Sequence, residues 1–325
     1  MTRYFYGASH EEFPPEALLR HVVAAERAGF DGIGASDHLQ PWWEPGESGH
    51  AWVWLGAAAQ ATEGVPIGPS VTPPGARYHP ALIAQAWMTL ERMYPGRPYL
   101  GIGSGEALNE VPVGDDWPST GEQIARMEEA LAMIRRLWDG ETITQDGRYF
   151  RARDLKLHTL ADRKPPIYVS AFGPQAAEVA AHHGDGLWTL PDPESTPEVI
   201  EAYRRAGGDG EIIFQVLVSW APTDAEAVEQ ARKWKGAQPE DHYTADWHEP
   251  QKMYEHGERE LSDAEFAQSI VAASDPEAIQ ERLREIEQLG GTVLVLQNNS
   301  AGNVERAIDV LAGDVLPALR GARVG

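Results

Sequence analysis

The chain has 325 residues, a length that suits one (β/α)8 barrel with insertions or two domains, and its 42% of hydrophobic residues is ordinary for a packed globular protein. Its 50 acidic and 27 basic residues give a formal net charge of −23, and a surface this acidic repels nucleic acid and anionic membranes. Cysteine is absent, which excludes disulfide bonds, Cys-bound metals and thiol nucleophiles.

Short apolar runs alternate with amphipathic segments along the whole chain. The runs predict strands over residues 3–8, 32–36, 65–71, 98–104, 167–171, 186–190, 212–220 and 292–297. The amphipathic segments predict helices over residues 14–28, 51–61, 80–93, 122–138, 175–183, 197–206, 276–289 and 303–319. The pair Asp146-Gly147 indicates a hairpin within residues 141–165, and the charged segment 224–266 is interpreted as a helical insertion.

Eight strands that alternate with helices, with no glycine-rich dinucleotide fingerprint after the first strand, favour a (β/α)8 barrel over a doubly wound sheet. We predict a single α/β domain over residues 1–325, a (β/α)8 TIM barrel with insertions. A doubly wound α/β sheet with a helical second domain is the alternative. In the barrel, the carboxyl ends of all strands lie at one mouth, so residues that are scattered in the sequence would form one site.

The location and the environment of the protein are expectations from composition. No apolar stretch approaches the roughly 20 residues of a membrane span, and the segment MTRYFYGASHEEF lacks the basic and apolar regions of a signal peptide. We therefore expect a cytoplasmic protein that binds neither membranes nor nucleic acid. An acid-rich, Lys-poor surface suits concentrated salt, so we hypothesise a halophilic source, an idea that fails if the protein is most stable in low-salt buffer.

The loop Ser36–Trp42 concentrates chemically active side chains directly after a predicted strand. It holds an acid, an imidazole and an indole in Asp37, His38 and Trp42, and the proline at position 41 stops a helix from forming through it. The alternative interpretation is a polar loop in which His38 caps backbone groups and Trp42 packs. Neither an HExxH motif nor a helical His pair with a carboxylate stands out, so no metal site is predicted.

Other predicted strand ends also carry residues suited to ligand binding. In the run GIGSGEALNE, Gly103 and Gly105 let the backbone approach a flat or anionic ligand, and Glu106 stands beside them as a possible acid or base. The spacing matches no phosphate-binding loop, so a tight turn with a surface glutamate is the alternative. Residues 170–175 lead into a helix whose free N–H groups could bind phosphate or carboxylate, although an ordinary capped loop would look the same.

Taken together, several segments resemble one known family. They are SDHLQPW, PSVTPPGARYHPALIAQAW, YLGIGSGEALNE, AFGPQAAEVAAHHGDGL and AASDPEAI. They are similar to the deazaflavin-dependent glucose-6-phosphate dehydrogenase group of the luciferase-like barrels, and the similarity extends over nearly the whole chain. The resemblance implies coenzyme F420 as cofactor, a homodimer, and a non-prolyl cis peptide bond in the bulge that supports the cofactor ring, at Ser70-Val71.

The same resemblance implies roles for single residues. His38 would be the base that takes the proton of a substrate hydroxyl while hydride leaves the same carbon for the deazaflavin. Trp42 would support the reduced, anionic ring, and Glu106 would act beside the ring as proton donor or electrostatic partner. The implied cofactor contacts come from several strand ends: Asp37, Ser70, Val71, Asn109, Gly173, Pro174 and Gln175.

The chain departs from the sugar-phosphate dehydrogenases where that group holds the substrate phosphate with two lysines and an arginine. The matching positions here are Pro193, Thr244 and Ser269, so the charge-assisted bonds to a phosphate are missing. We therefore expect an uncharged alcohol or free sugar as substrate. Three cations of the insertion could substitute for the missing ones: Lys235, Lys252 and Arg259.

Several functions remain open at this point. The leading prediction is an F420-dependent dehydrogenase acting on CH–OH donors. The alternatives are an F420-dependent sugar-6-phosphate dehydrogenase, an FMN-dependent monooxygenase or a C1-carrier reductase on the same barrel. A cofactor-binding protein without enzymatic activity is the non-enzymatic alternative, which the presence of both His38 and Glu106 disfavours, because a carrier needs neither a base nor a proton donor.

Overall fold

Eight parallel strands form a barrel in the computed structural model, which describes residues 1–321. The strands of the chain, in order, are β1 Arg3–Ala8, β2 Gly32–Ala35, β3 Ile67–Pro69, β4 Leu100–Ile102, β5 Ile143–Asp146, β6 Arg151–Leu155, β7 Ile167–Ser170, β8 Gly186–Thr189, β9 Glu211–Trp220, β10 Val271–Ala273 and β11 Val293–Asn298. The neighbours run β3-β2-β1-β11-β9-β8-β7-β4. Parallel bridges from Ile67 to Pro98 and from Thr72 to Ile102 join the two end strands. The sheet therefore curves into an almost closed barrel.

Helices surround the barrel and connect its strands. They are α1 Pro15–Ala28, α2 Ala51–Ala61, α3 Pro80–Met93, α4 Ala107–Glu110, α5 Thr120–Trp138, α6 Pro174–His183, α7 Thr196–Arg205, α8 Asp224–Ala231, α9 Asp241–Thr244, α10 Pro250–Glu260, α11 Asp263–Ser269, α12 Pro276–Gln288, α13 Val304–Val310 and α14 Leu316–Gly321. Within residues 1–321, none of these helices is long and apolar enough to cross a membrane.

Residues that alternate along the strands fill two separate layers. In β1, Tyr4 and Tyr6 belong to the large core between the sheet and the helices, whereas Phe5 belongs to a smaller cluster with Tyr99 and Trp188. Because successive strand side chains point to opposite faces, that smaller cluster fills the interior of the barrel. Glycine makes room for these rings, since a Cβ at Gly32 would lie 2.5 Å from the Phe5 ring.

The predicted barrel and its eight strands are confirmed, and the differences lie outside the ring. Residues 271–273 form an extra short strand, β10, which pairs in parallel with the end of β9 and was not predicted. The predicted hairpin is present as the antiparallel pair β5 and β6. The helix predicted over 303–319 is interrupted by a π-helical turn, Leu311–Val315, between α13 and α14. The apolar run at β10 covers only residues 270–273, which is shorter than the segments 65–71 and 98–104 that predicted β3 and β4.

Candidate active site

The His38 imidazole lies between two carboxylates at the carboxyl end of the barrel. Strand β2 ends at Ala35, and His38 follows on the loop that leaves it. Its Nε2 atom is 3.3 Å from Oε2 of Glu106 and 3.5 Å from Oε1 of Glu11, while 12% of its side chain is exposed. The structure thus brings the predicted pair His38 and Glu106 together, and it adds a second acid.

Glu11 escaped the sequence analysis although it follows the first strand by three residues. Its carboxylate accepts a hydrogen bond from the Ser36 hydroxyl, and its side chain is only 2% exposed. Burial raises the pKa of Glu11 to about 7. The pair Glu11-Glu12 after the strand 3–8 was the available signal, since carboxylates directly after a barrel strand lie at the mouth.

Burial of the site favours the neutral forms of its titratable groups. Burial, followed by the charge of Glu11, raises the pKa of Glu106 to about 8. Burial also lowers the pKa of His38 to about 3, and the cation of Arg77 acts in the same direction. Near neutral pH the imidazole is therefore uncharged and able to accept a proton, whereas Glu106 retains a proton that it can donate.

Asn109 fixes the orientation of the imidazole. Its Oδ1 accepts a hydrogen bond of 2.7 Å from the backbone N–H of Leu39, so its Nδ2 is the donor end of the amide. That Nδ2 lies 3.2 Å from Nδ1 of His38 and donates to Oε2 of Glu106 over 3.1 Å. Either ring nitrogen can carry the single proton of neutral His38, and Nε2 is the nitrogen that faces both carboxylates. A contact with the cofactor, predicted for Asn109, stays a prediction.

Asp37 lies beside His38 but faces away from the two carboxylates, in a buried network. Its carboxylate accepts hydrogen bonds from Thr72 (2.6 Å) and Tyr78 (3.2 Å) and pairs with Arg77 at 3.3 Å. Arg77 also reaches Glu110 at 3.1 Å, and both carboxylates are at most 1% exposed. The network joins the loops that follow β2, β3 and β4. The cofactor contact predicted for Asp37 is not among these interactions and stays a prediction.

Three aromatic rings line the site on the side of residues 232–269. The Trp42 ring, only 3% exposed, lies 5.1 Å from the His38 ring and 5.6 Å from that of Tyr243. Tyr243 in turn contacts Phe172, which is 50% exposed, at 5.7 Å. We call Trp42, Phe172 and Tyr243 the aromatic wall. The sequence analysis did not single out Tyr243, because nothing in an unassigned charged segment indicated that its ring would reach the barrel mouth.

The remaining predicted residues lie along the ends of β3, β4 and β7. The Ser70-Val71 peptide bond is cis, as the family resemblance implied. A Cβ at Gly103 would approach Val71 to 2.6 Å, and Gly105 has a φ of +94°, so both positions favour glycine. At Gly173, which precedes α6, an added Cβ would meet nothing within 4 Å, and no side chain caps the helix. Open space therefore adjoins the free N–H groups of that helix, whose first turn contains Pro174 and Gln175.

The amino-acid sequence identifies the family to which the chain belongs. Residues 2–293 match the family described as luciferase-like monooxygenase. The chain belongs to the luciferase-like monooxygenase family. Among curated luciferase-like relatives, an F420-dependent glucose-6-phosphate dehydrogenase of Beutenbergia cavernae is 38% identical over 337 residues, covering 98% of each chain. A protein of the same name from Microbacterium testaceum is 37% identical, with 98% of this chain and 97% of the relative covered.

Solved structures of luciferase-like proteins agree with the barrel. An F420-dependent secondary alcohol dehydrogenase in complex with an F420-acetone adduct is 33% identical, with a TM-score of 0.93 over 98% of this chain and 99% of that one. A coenzyme F420-dependent tetrahydromethanopterin reductase from Methanopyrus kandleri shares 18% identity with a TM-score of 0.79, covering 98% and 99% of the two chains. The second likeness supports the fold alone.

The raised pKa of Glu106 predicts a specific dependence of stability on pH. Folded Glu106 holds its proton up to about pH 8, whereas the unfolded chain releases it at a lower pH. The stabilisation is thus complete in acid and is lost as the pH rises towards 8. We expect the decline in the free energy of unfolding between about pH 5 and about pH 8.5 to be smaller in Glu106→Gln than in the wild type. Urea denaturation measures it, and Glu178→Gln, an exposed change on α6, is the control. An unchanged slope in Glu106→Gln would contradict the shifted pKa.

Proposed function

We propose that this chain is an F420-dependent dehydrogenase that transfers hydride between the hydroxyl-bearing carbon of an uncharged alcohol and the deazaflavin. One observation carries the proposal: the neutral His38 imidazole lies within 3.5 Å of two carboxylates of raised pKa at a barrel mouth. Alcohol oxidation needs a proton acceptor at the hydroxyl, and the reverse reaction needs a donor there. The names of the relatives at 33 to 38% identity support the cofactor and the reaction class.

The residues at the mouth fit a cofactor with a flat ring and an anionic tail. The Gly103 backbone lies against Val71 without a side chain between them, which leaves a smooth surface for a ring. The open N-terminus of α6 at Gly173 offers N–H groups to a phosphate of the tail. When bound, the deazaflavin supplies the hydride acceptor. The contacts of Ser70, Pro174 and Gln175 with this group are part of the proposal.

The proton moves at Nε2 of His38. In alcohol oxidation this atom accepts the hydroxyl proton, and a hydrogen bond from the ring to the backbone of Gln40 compensates part of the charge that develops. Asn109 holds the other ring nitrogen in place. The charged imidazole donates hydrogen bonds to Glu106 and Glu11, and in the reverse direction Nε2 of His38 returns the proton to the substrate oxygen. Trp42, whose ring lies 5.1 Å from that of His38, would support the ring of the cofactor.

The substrate that we propose carries no phosphate. By the family resemblance, Pro193, Thr244 and Ser269 match the positions of the three cations that hold the phosphate in the sugar-phosphate dehydrogenases. Lys235 does not replace them, because its side chain is only 2% exposed and its ammonium group lies 2.6 Å from Asp263 and donates to the carbonyl of Leu261. A buried lysine that is already paired cannot bind a second anion without giving up the first.

The other two candidate cations lie on the exposed side of the insertion. Lys252 pairs with Glu249 on α10, and 63% of its side chain is exposed. Arg259 is exposed near the end of the same helix. In place of cations, the mouth presents the rings of Phe172 and Tyr243, which favour an apolar substituent on the substrate carbon. Small secondary alcohols combine a hydroxyl for His38 with such a substituent.

A substrate panel tests the proposal directly. Purified protein with oxidised F420 should bleach the visible absorbance of the cofactor with secondary alcohols such as 2-propanol or 2-butanol, and should fail to do so with glucose 6-phosphate. Glucose serves as the uncharged match to the phosphorylated sugar. Bleaching by glucose 6-phosphate alone would overturn the proposed substrate class but keep the reaction. No bleaching across the panel, together with tight binding of reduced FMN, would favour a flavin monooxygenase instead.

Three properties of the whole protein complete the proposal: a cytoplasmic location, a homodimer and a halophilic source. With a net charge of −23, the acidic residues repel one another in dilute buffer, and concentrated salt screens that repulsion. We expect the melting temperature to rise with KCl up to molar concentrations. A melting temperature that is highest without added salt would refute the halophilic origin, and light scattering after gel filtration measures the subunit number.

A further inference from the structure

A second cluster of ligand-type side chains lies in the segment between β9 and β10, outside the proposed active site. It joins α9 and α10 through three residues whose nitrogen and oxygen atoms lie within 4.8 Å of one another: Asp241, His242 and His256. Asp241 and His242 are neighbours, but His256 is fourteen residues further along the chain than His242, so only folding brings them together. We propose that these three residues form a site for a divalent transition-metal cation of the zinc class.

The three converging ligand atoms contact one another. Nε2 of His242 and Nδ1 of His256 face each other at 2.8 Å, and Oδ1 of Asp241 lies 3.8 Å from the same Nδ1. Two imidazole nitrogens and one carboxylate oxygen are a ligand set that Zn²⁺ and its neighbours accept, with a fourth position for water. The Asp241 side chain is 48% exposed, so a cation and its water have a way in.

The second polar atom of each ligand is held by a neighbouring group. Nδ1 of His242 is 2.8 Å from the carbonyl of Gly236 and donates to it, which leaves Nε2 with a lone pair. The Trp247 indole N–H donates to Oδ2 of Asp241 over 3.0 Å, so Oδ1 remains available. Nε2 of His256 lies 3.8 Å from Glu260. Metal sites in proteins show this arrangement, in which outer groups orient the ligands and set the histidine tautomers.

Binding requires one change of tautomer and no net loss of a ring proton. Without a cation, one of the two facing nitrogens carries a proton, and because His242 has its own on Nδ1, that proton is on Nδ1 of His256. With the cation bound, the proton of His256 resides on Nε2, next to the Glu260 carboxylate. The alternative is a plain hydrogen-bonded histidine pair. The two interpretations differ in whether the protein takes up a cation.

The site would fasten the segment that carries Tyr243. This residue follows His242 directly, donates to the carbonyl of Ala237 over 2.6 Å, and rests its ring against Trp42. A cation that joins α9 to α10 would hold this part of the aromatic wall against the barrel. The role is structural, and it does not depend on the identity of the substrate.

Metal titration of the untagged full-length chain tests the inference. After treatment with a chelator and its removal, the protein should bind one equivalent of Zn²⁺ in calorimetry and show a higher melting temperature. Co²⁺ should give the intense visible absorption of a tetrahedral nitrogen and oxygen site. His256→Gln and Asp241→Asn, both at partly exposed positions, should abolish or strongly weaken binding. His158→Gln, at an exposed position in the loop after β6, is the matched control and should bind like the wild type.

Trp247→Phe provides a sharper test, because it keeps an aromatic ring and removes only the N–H that holds Asp241. It should lower the affinity for Zn²⁺ by roughly 10- to 100-fold, the usual effect of losing an outer hydrogen bond. Trp220→Phe, which removes an indole bond to Ser274, should leave the affinity unchanged. The inference is overturned if the wild type binds no Zn²⁺, or if His256→Gln and Asp241→Asn, verified as folded by circular dichroism, bind it as tightly as the wild type.

Discussion

His38→Ala should lower the turnover of alcohol oxidation by about 10²–10⁴ and leave the dissociation constant of F420 nearly unchanged, because the substitution removes a general base and little binding surface. The imidazole is neutral over the working pH range, since burial and the charge of Arg77 lower its pKa to about 3. Stopped-flow reduction of F420 at saturating substrate measures the chemical step, and fluorescence titration measures cofactor binding.

The control for this substitution is His158→Ala, which removes an exposed imidazole from the loop after β6. It should leave both quantities unchanged. Wild-type turnover should also show no loss around the ordinary histidine pKa of about 6.5, because His38 titrates far below that range. Turnover of His38→Ala within twofold of wild type would eliminate His38 as the base, and Glu11 would then be the next candidate.

Arg77→Ala should destabilise the fold by about 3–5 kcal/mol, the cost of leaving buried charges without their partner. The guanidinium lies 3.3 Å from Asp37 and 3.1 Å from Glu110, and the carboxylates are 1% and 0% exposed. Both acids would face a low-dielectric interior after its removal. The stability of Arg77→Lys should lie between those of the wild type and Arg77→Ala, because a single ammonium group cannot contact both carboxylates as the guanidinium does. Urea denaturation followed by circular dichroism gives the free energies of unfolding.

Arg151→Ala is the matched control, since Arg151 and its partner Asp146 are 81% and 83% exposed. An ion pair in contact with water contributes little, so the change should stay within about 0.5 kcal/mol of wild type. A loss below about 1 kcal/mol in Arg77→Ala would mean that water or rearranged side chains compensate the two acids, contrary to the burial on which this expectation rests.

The sequence predicted the barrel because its signals are local. Each long strand shows an apolar run, each helix shows its 3.6-residue period, and proline or glycine marks many helix ends. The pairing of His38 with Glu106 followed from the rule that strand ends meet at one mouth, and the distance of 3.3 Å agrees with it. Two details were less accessible: the apolar run at β10 covers only residues 270–273, and the π-helical turn at Leu311–Val315 leaves no trace in the helical period.

The parts of the site that escaped prediction depend on contacts between distant segments. Glu11 was visible only as one of two adjacent acids, and nothing local separates it from its neighbour Glu12, which accepts from Trp234 and Asn299 instead. Tyr243 lies in a segment whose charges resemble those of any solvated helix. The cluster of His242 and His256 requires the turn between α9 and α10, which no spacing rule covers. Long-range packing decides all three positions.

The network of Asp37, Arg77 and Glu110 distinguishes two halves of the barrel mouth, because it lies in one of them only. It joins the loops after β2, β3 and β4, the half where we place the cofactor, through buried ion pairs. The opposite half is built from residues 232–269 and packs against the first through a buried hydrophobic cluster that includes Trp43 and Trp234, and through ring contacts such as that of Tyr243 with Trp42. A luciferase-like barrel of this design can exchange one substrate for another by replacing a single peripheral segment, while the chemistry around His38 keeps its geometry.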